Sequence, residues 1–263
     1  MVSISQWVAL QFIYGEMLDV IEDLFASRQY CFMPIKGAYL IRTRLTEKIA
    51  DRKMVDIDIL VPESQFDEVC VWFQTIEGVV PKDNYWNFER SFVYPCMGFP
   101  VHLEFHRLIN FPARFLLSNE LLFSRSVKVS CSCLLPDPID ALLIHICHKL
   151  AHVIDGFEDQ FYNEIQLYAS QEGFSWEVFW ERAQATGIIN FIWCVIDTFC
   201  KKTKVSVKMP STSSLYCRFL SRLNLFMACR KPLLRKFFFE IPFNRNSFRL
   251  LWYKFRHSFL KKS

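Results

Sequence analysis

Glycine is scarce in this chain, with seven residues among 263, while phenylalanine occurs 27 times. Few positions can therefore turn cheaply, and bulky apolar volume is plentiful, which favours long helices around a limited sheet. Paired CxxC spacing is missing too. The ten cysteines are scattered, and the closest two are Cys131 and Cys133. That argues against a zinc knot and for reduced, buried thiols of a cytoplasmic protein. Long apolar runs are also lacking: the longest, "GIINFIWCVIDTFC", is too short to span a bilayer and contains Asp197. The opening stretch "MVSISQWVALQFIYGEMLDVIEDLF" has no basic residue ahead of its apolar part and carries Glu16, Asp19, Glu22 and Asp23. An amphipathic helix is expected there rather than a secretory leader.

Apolar residues make up 52% of the chain, enough to bury a genuine core. The net charge of +4 is unevenly spread. From Arg230 to Ser263 ten Lys or Arg stand against Glu240 alone, about +9, so the preceding residues sum to about −5. This tail interleaves bases with aromatics, which suits RNA or an anionic membrane surface. It equally suits a final helix packing its apolar side chains while Lys and Arg snorkel. The spacing of Leu250, Leu251 and Phe255 favours the packed helix.

Along the chain, "YCFMPI", "KG" and "AYLIRTRLTEKI" read as strand, tight turn and helix. "VDIDILV" alternates strictly and reads as a second strand, with Val55, Ile57 and Ile59 facing the core. Ser64 with Asp67 sets out a capping box for a helix over "FDEVCVWFQTI". "NFERSFVY" and "FPVHLEFHRL" are further strands, and "SVKVSC" is placed to close the sheet. At "LPDPIDALLIHICHKLAH" the pattern becomes helical, with Asp137 as N-cap and Pro138 in the first helical position. The expected fold is α+β: a small mixed sheet with flanking helices, plus a helical C-terminal region. The expected divisions are an N-terminal helix over 1–27, an α/β domain over 28–133, and a helical domain with the basic tail over 134–263.

Three pieces carry candidate chemistry. Asp56 and Asp58 are two apart on a strand and so share a face, where their repulsion calls for donors or a cation; hard oxygen ligands suit Mg2+. In "VHLEFH", His102, Glu104 and His106 share the face opposite Val101, Leu103 and Phe105, so a neighbouring strand would bring Glu104 as a third carboxylate. At "PIKGAYL" a strand ends in Lys36 and Gly37 and a helix begins, a place where backbone N–H groups and a lysine can meet phosphate. Each piece alone has a blander reading: a solvated strand face, a polar edge, a plain turn.

In order, "IKGAYL", "RKMVDIDILV", "VHLEFH" and "PDPIDALLIHICHKLAH" resemble the nucleotidyltransferase family of DNA polymerase β-type fold that is often labelled uncharacterised nucleotidyltransferase. The resemblance spans roughly residues 30 to 155. It implies catalytic and metal-binding carboxylates at Asp56, Asp58 and Glu104, and two Mg2+ ions. It also implies a nucleoside triphosphate donor held near Lys36, Gly37, Ala38 and Arg52. Where the wider superfamily has Gly-Gly or Gly-Ser in the turn, Ala38 follows Gly37 here, so a phosphate-binding hydroxyl is missing. The implied activity is transfer of a nucleoside monophosphate to an acceptor hydroxyl, with small molecule, sugar, RNA and protein all compatible. The alternative is a catalytically degenerate member acting as a binding or assembly protein.

Helical spacing after Asp137 lines up Ile139, Leu142, Leu143, Ile146, Leu150 and Val153 as the buried face, with His145, His148 and His152 on another side. That placement argues against ordinary core histidines. A zinc site, a cleft-facing role beside His106, and a solvated or interdomain face all remain open.

Overall fold

The computed structural model describes residues 4–48, 54–82, 88–109, 116–151 and 158–210. Contacts divide the chain into two compact units, residues 1–109 with 118–137 and residues 110–117 with 138–263. Arg52, His152, Val153 and the basic tail, including Leu250, Leu251 and Phe255, lie outside the described residues.

The first unit runs α1 (Ile4–Ser27), β1 (Met33–Pro34), α2 (Lys36–Arg42), a 3-10 turn (Leu45–Lys48), β2 (Ile57–Leu60), α3 (Phe66–Phe73), β3 (Val80–Pro81), β4 (Glu89–Cys96), β5 (Phe99–His106), α4 (Asn119–Arg125), β6 (Val127–Lys128) and β7 (Leu134–Leu135). The main sheet has the order β1-β2-β5-β4-β3. Only β2 and β5 pair in parallel; the other neighbours are antiparallel, so the sheet is mixed.

Alternation in β5 is read directly as burial: Val101, Leu103 and Phe105 are buried while His102 is exposed and Glu104 half-buried. The apolar face packs under α1 and α3. Phe105 is the centre of an aromatic cluster, with ring centroids 4.8 Å from Phe73, 5.1 Å from Phe92 and 5.8 Å from Phe25. Met17, Leu18 and Ile21 of α1 and Phe66 and Val69 of α3 complete this core. Phe25, Phe32, Phe66, Phe73, Phe92 and Phe105 thus meet in one layer between helices and sheet. Arg42 of α2 pairs with Asp19 and Glu22, tying α2 to α1. Strands β4 and β5 join through Met97 and Gly98, with φ of 51° and 80°, the two left-handed residues that a two-residue hairpin of matching twist needs.

Three expectations need correction. "SVKVSC" does not close the main sheet: β6 pairs with β7 in a separate two-stranded ribbon. No capping box forms, because Gln65 takes the N-cap position without a side-chain bond, and Asp67 pairs with Arg107 instead. Val55 is 72% exposed, because β2 begins only at Ile57 and the residues before it have left the sheet.

The second unit is built on α5 (Pro138–Ala151), α6 (Asp159–Ala169), α7 (Trp176–Ala185) and α8 (Ile189–Thr203). Ile139, Leu142, Leu143, Ile146 and Leu150 are buried as the spacing requires. So are Asp140, Ile144, His145 and Cys147, because α6, α7 and α8 all pack against α5 and leave it little free surface. Asp140 Oδ2 lies 3.1 Å from Arg182 Nη1, and His145 Nε2 lies 3.1 Å from Glu164 Oε2. No described helix is long and apolar enough to cross a membrane.

Phe105→Ala removes the ring on which Phe25, Phe73 and Phe92 converge, and should lower stability by about 3–5 kcal/mol in urea denaturation. A loss below about 1 kcal/mol would show that this cluster is not what holds the sheet.

Candidate functional site

The parallel pairing of β2 with β5 sets Asp58 directly opposite Glu104 and Leu60 opposite His106. Cross-strand partners share a face, so the two acids meet because their strands are neighbours in register. The antiparallel pairing of β4 with β5 then puts Glu89 opposite His106 and Ser91 opposite Glu104. The polar face foreseen for "VHLEFH" is thereby assembled across three strands.

Asp58 is 5% exposed and Lys36 8%. Lys36 Nζ donates to Asp58 Oδ1 at 2.6 Å, and His106 Nε2 lies 2.9 Å from the same oxygen. A buried carboxylate without such partners would be costly, so this pair holds β2, the start of α2 and the end of β5 together. His106 Nε2 is also 3.7 Å from Glu104 Oε2, and its Nδ1 is 3.9 Å from Glu89 Oε2. Among the described residues one group of three offers ligand atoms within 4.8 Å of one another: Asp58, Glu104 and His106. His106 therefore joins this cluster more tightly than Asp56 does.

Asp56 precedes β2 and is half-buried, yet its charge still acts on Glu104. Burial first, then the charges of Asp58 and Asp56, push the Glu104 carboxyl up to about 7, with Lys36 opposing. The segment leading into β2 is pinned from α1, where Tyr14 Oη donates to the Met54 carbonyl at 3.2 Å. Burial and the charge of Asp56 raise the Tyr14 phenol as well.

Left-handed backbone falls on Lys36, with φ of 53°, and not on Gly37. Gly37 and Ala38 are buried in the first turn of α2; the Ala38 methyl sits in the hydrophobic core and its N–H donates to the Ile35 carbonyl at 3.1 Å. A hydroxyl at position 38 would be buried in that core, which gives a packing reason for alanine where relatives of the wider superfamily have serine.

His145 and His148 belong to the helical unit. His145 is a core histidine after all: its ring lies 5.1 Å from that of Phe161 and 5.2 Å from that of Tyr168, with Glu164 at its Nε2. Helical spacing alone missed this because three other helices cover α5. His148 is half-buried. Glu89, unnoticed in the sequence because its strand was read only as apolar alternation, is the carboxylate nearest His106 Nδ1.

This chain belongs to the family of uncharacterised nucleotidyltransferases, whose model matches residues 10–199. The match spans both the acid-bearing sheet and the helices α5 to α8. No curated protein and no solved structure matches the chain significantly.

Because the folded state holds the Glu104 proton up to about pH 7 while the unfolded chain releases it near the ordinary glutamate value of 4.5, this group favours the fold most at low pH. Its contribution falls as pH rises from about 4.5 through 7. Glu104→Gln has no such dependence, so between pH 5 and 8 in chelator the wild type should lose about 2 kcal/mol relative to the variant, allowing for partial solvent screening. Parallel stability curves for the two proteins would refute the placement of Glu104 among these acids.

Proposed function

We propose that the protein is a Mg2+-dependent nucleotidyltransferase that moves a nucleoside monophosphate from a nucleoside triphosphate to an acceptor hydroxyl. The observation that carries this reading is the in-register pair Asp58 and Glu104, with Asp56 close enough to act on Glu104. Three carboxylates, two of which raise the proton affinity of the third, with Lys36 paired to Asp58, have the charge and the hard oxygen donors that a divalent cation fits. Asp56 and Asp58 would hold the ion on the nucleotide, and Glu104 would complete a second site. Bound there, magnesium supplies neutralisation of phosphate charge and polarisation of the P–O bonds.

The chain's own groups supply the rest. Glu104 takes the proton of the acceptor hydroxyl as that oxygen attacks the α phosphorus. A new ester bond forms, the bond from the α phosphorus to the bridging oxygen breaks, and the electron pair leaves with pyrophosphate. Lys36 fixes the Asp58 carboxylate through Oδ1. Lys36, Gly37, Ala38 and Arg52 are the groups proposed to meet the triphosphate, with Ala38 acting through its backbone.

A second reading rests on a specific observation. Lys36 Nζ and the Ala38 N–H, two groups expected at phosphate, both have protein partners. A degenerate member that serves as a binding or assembly protein would keep those bonds. Calorimetric titration of each nucleoside triphosphate with Mg2+ separates the two. The enzyme reading expects Mg2+-dependent binding that disappears in the Asp56→Asn, Asp58→Asn double variant, and transfer reduced by about 10²–10³-fold or more in Asp58→Asn with the fold intact. A folded wild type that binds no triphosphate would favour the degenerate member, and a fully active Asp58→Asn would sink the assignment.

A further inference from the structure

We propose that His106 is itself a metal ligand through Nε2, oriented by Glu89, so that the centre is a mixed nitrogen and oxygen site that binds Mn2+ more tightly than an all-oxygen site would. The inference rests on the nucleotidyltransferase reading above and deepens it. His106 is 2% exposed, and its Nε2 faces Asp58 Oδ1 at 2.9 Å and Glu104 Oε2 at 3.7 Å. Donors at adjacent corners of an octahedron around an ion bonded at roughly 2.1 Å lie about 3 Å apart, so the Asp58–His106 spacing already suits neighbouring ligands. A small shift of the Glu104 side chain brings the third donor into the same range.

The other ring nitrogen completes the case. Nδ1 is buried and makes no hydrogen bond among the described residues, and the nearest carboxylate oxygen is Glu89 Oε2 at 3.9 Å. With Nε2 giving its lone pair to a metal ion, the ring proton is carried on Nδ1, where it faces the Glu89 carboxylate. A carboxylate behind the distal N–H of a metal-bound histidine fixes its tautomer and orientation. Glu89 is therefore a positioning residue, placed by the β4–β5 register directly opposite His106.

An imidazole ligand strengthens binding of transition ions and adds little for Mg2+, which prefers oxygen. Asp56 and Glu104 keep the site hard enough for a triphosphate complex, so the nitrogen shifts preference among ions and leaves the class of donor substrate alone.

The test uses the full chain and Mn2+ as the probe. Pulsed electron paramagnetic resonance of Mn2+ bound to the wild type should show coupling to one imidazole ¹⁴N nucleus, absent in His106→Gln. The ratio of Mn2+ to Mg2+ affinity should fall at least about tenfold in that variant. Since His106 is buried and its replacement could unfold the sheet, Glu89→Gln serves as the second variant: it should keep the ¹⁴N coupling while weakening Mn2+ by about tenfold or more. Mn2+ that binds to the wild type without ¹⁴N coupling overturns the His106 assignment, a Glu89→Gln variant with unchanged affinity overturns the Glu89 role, and either result leaves the nucleotidyltransferase reading standing. Failure of Mn2+ to bind the folded wild type at all, with or without triphosphate, overturns both.

Discussion

The α/β unit is organised around one carboxylate that water scarcely reaches. Asp58 lies in a strand whose four residues are all buried, and its Oδ1 is held by Lys36 from the start of α2 and by His106 from the end of β5. Each partner comes from a different element, so the carboxylate can be satisfied only when β1, β2 and β5 are correctly ordered. Register follows from the same requirement. A slip of one residue between β2 and β5 would move Glu104 and His106 to the apolar face and bring Leu103 and Phe105 to the acids.

The opposite face of the sheet provides the rigidity that such a site needs. Phe105 stands between Glu104 and His106 in sequence and points the other way, into the cluster with Phe25, Phe73 and Phe92. Every side chain of the acid cluster on β5 is thus flanked by one locked in aromatic packing, and the backbone that carries it has little freedom to rotate. Helix α1 contributes to both faces: Phe25 enters the aromatic cluster, while Tyr14 fixes the Met54 carbonyl on the way to Asp56. A family match that begins at residue 10 takes in both of these contacts.

The chemistry-bearing strands were legible because a strand repeats every two residues, and "DID" and "HLEFH" each divide cleanly into an acidic and an apolar face. What periodicity could not convey was which strands adjoin. The Asp58–Glu104 pairing, the ribbon formed by β6 and β7, and the place of Glu89 behind His106 are consequences of long-range pairing between segments up to dozens of residues apart. Val55 extends the alternation in sequence but lies outside the sheet, where no partner strand exists to bury it. His145 fails in the opposite direction. A helical stripe marks a free side only if neighbouring helices leave one, and around α5 they fill it with Phe161, Tyr168 and Glu164.

The Lys-Gly turn shows how charge can set a backbone conformation. A lysine with φ of 53° costs on the order of 1 kcal/mol relative to glycine at the same place, and glycine stands at the next position in sequence. Glycine at 36 would remove the strain and also the cation that neutralises Asp58. A buried carboxylate losing its charged partner is penalised by several kcal/mol, well above the backbone cost. The balance therefore keeps lysine in the unfavourable conformation, and the left-handed turn aims its short span of chain so that Nζ reaches Oδ1 at 2.6 Å. Gly37 and Ala38 then need only be small, since both are buried as α2 begins, and the alanine that looked like a lost phosphate ligand is what the core beneath this turn has room for.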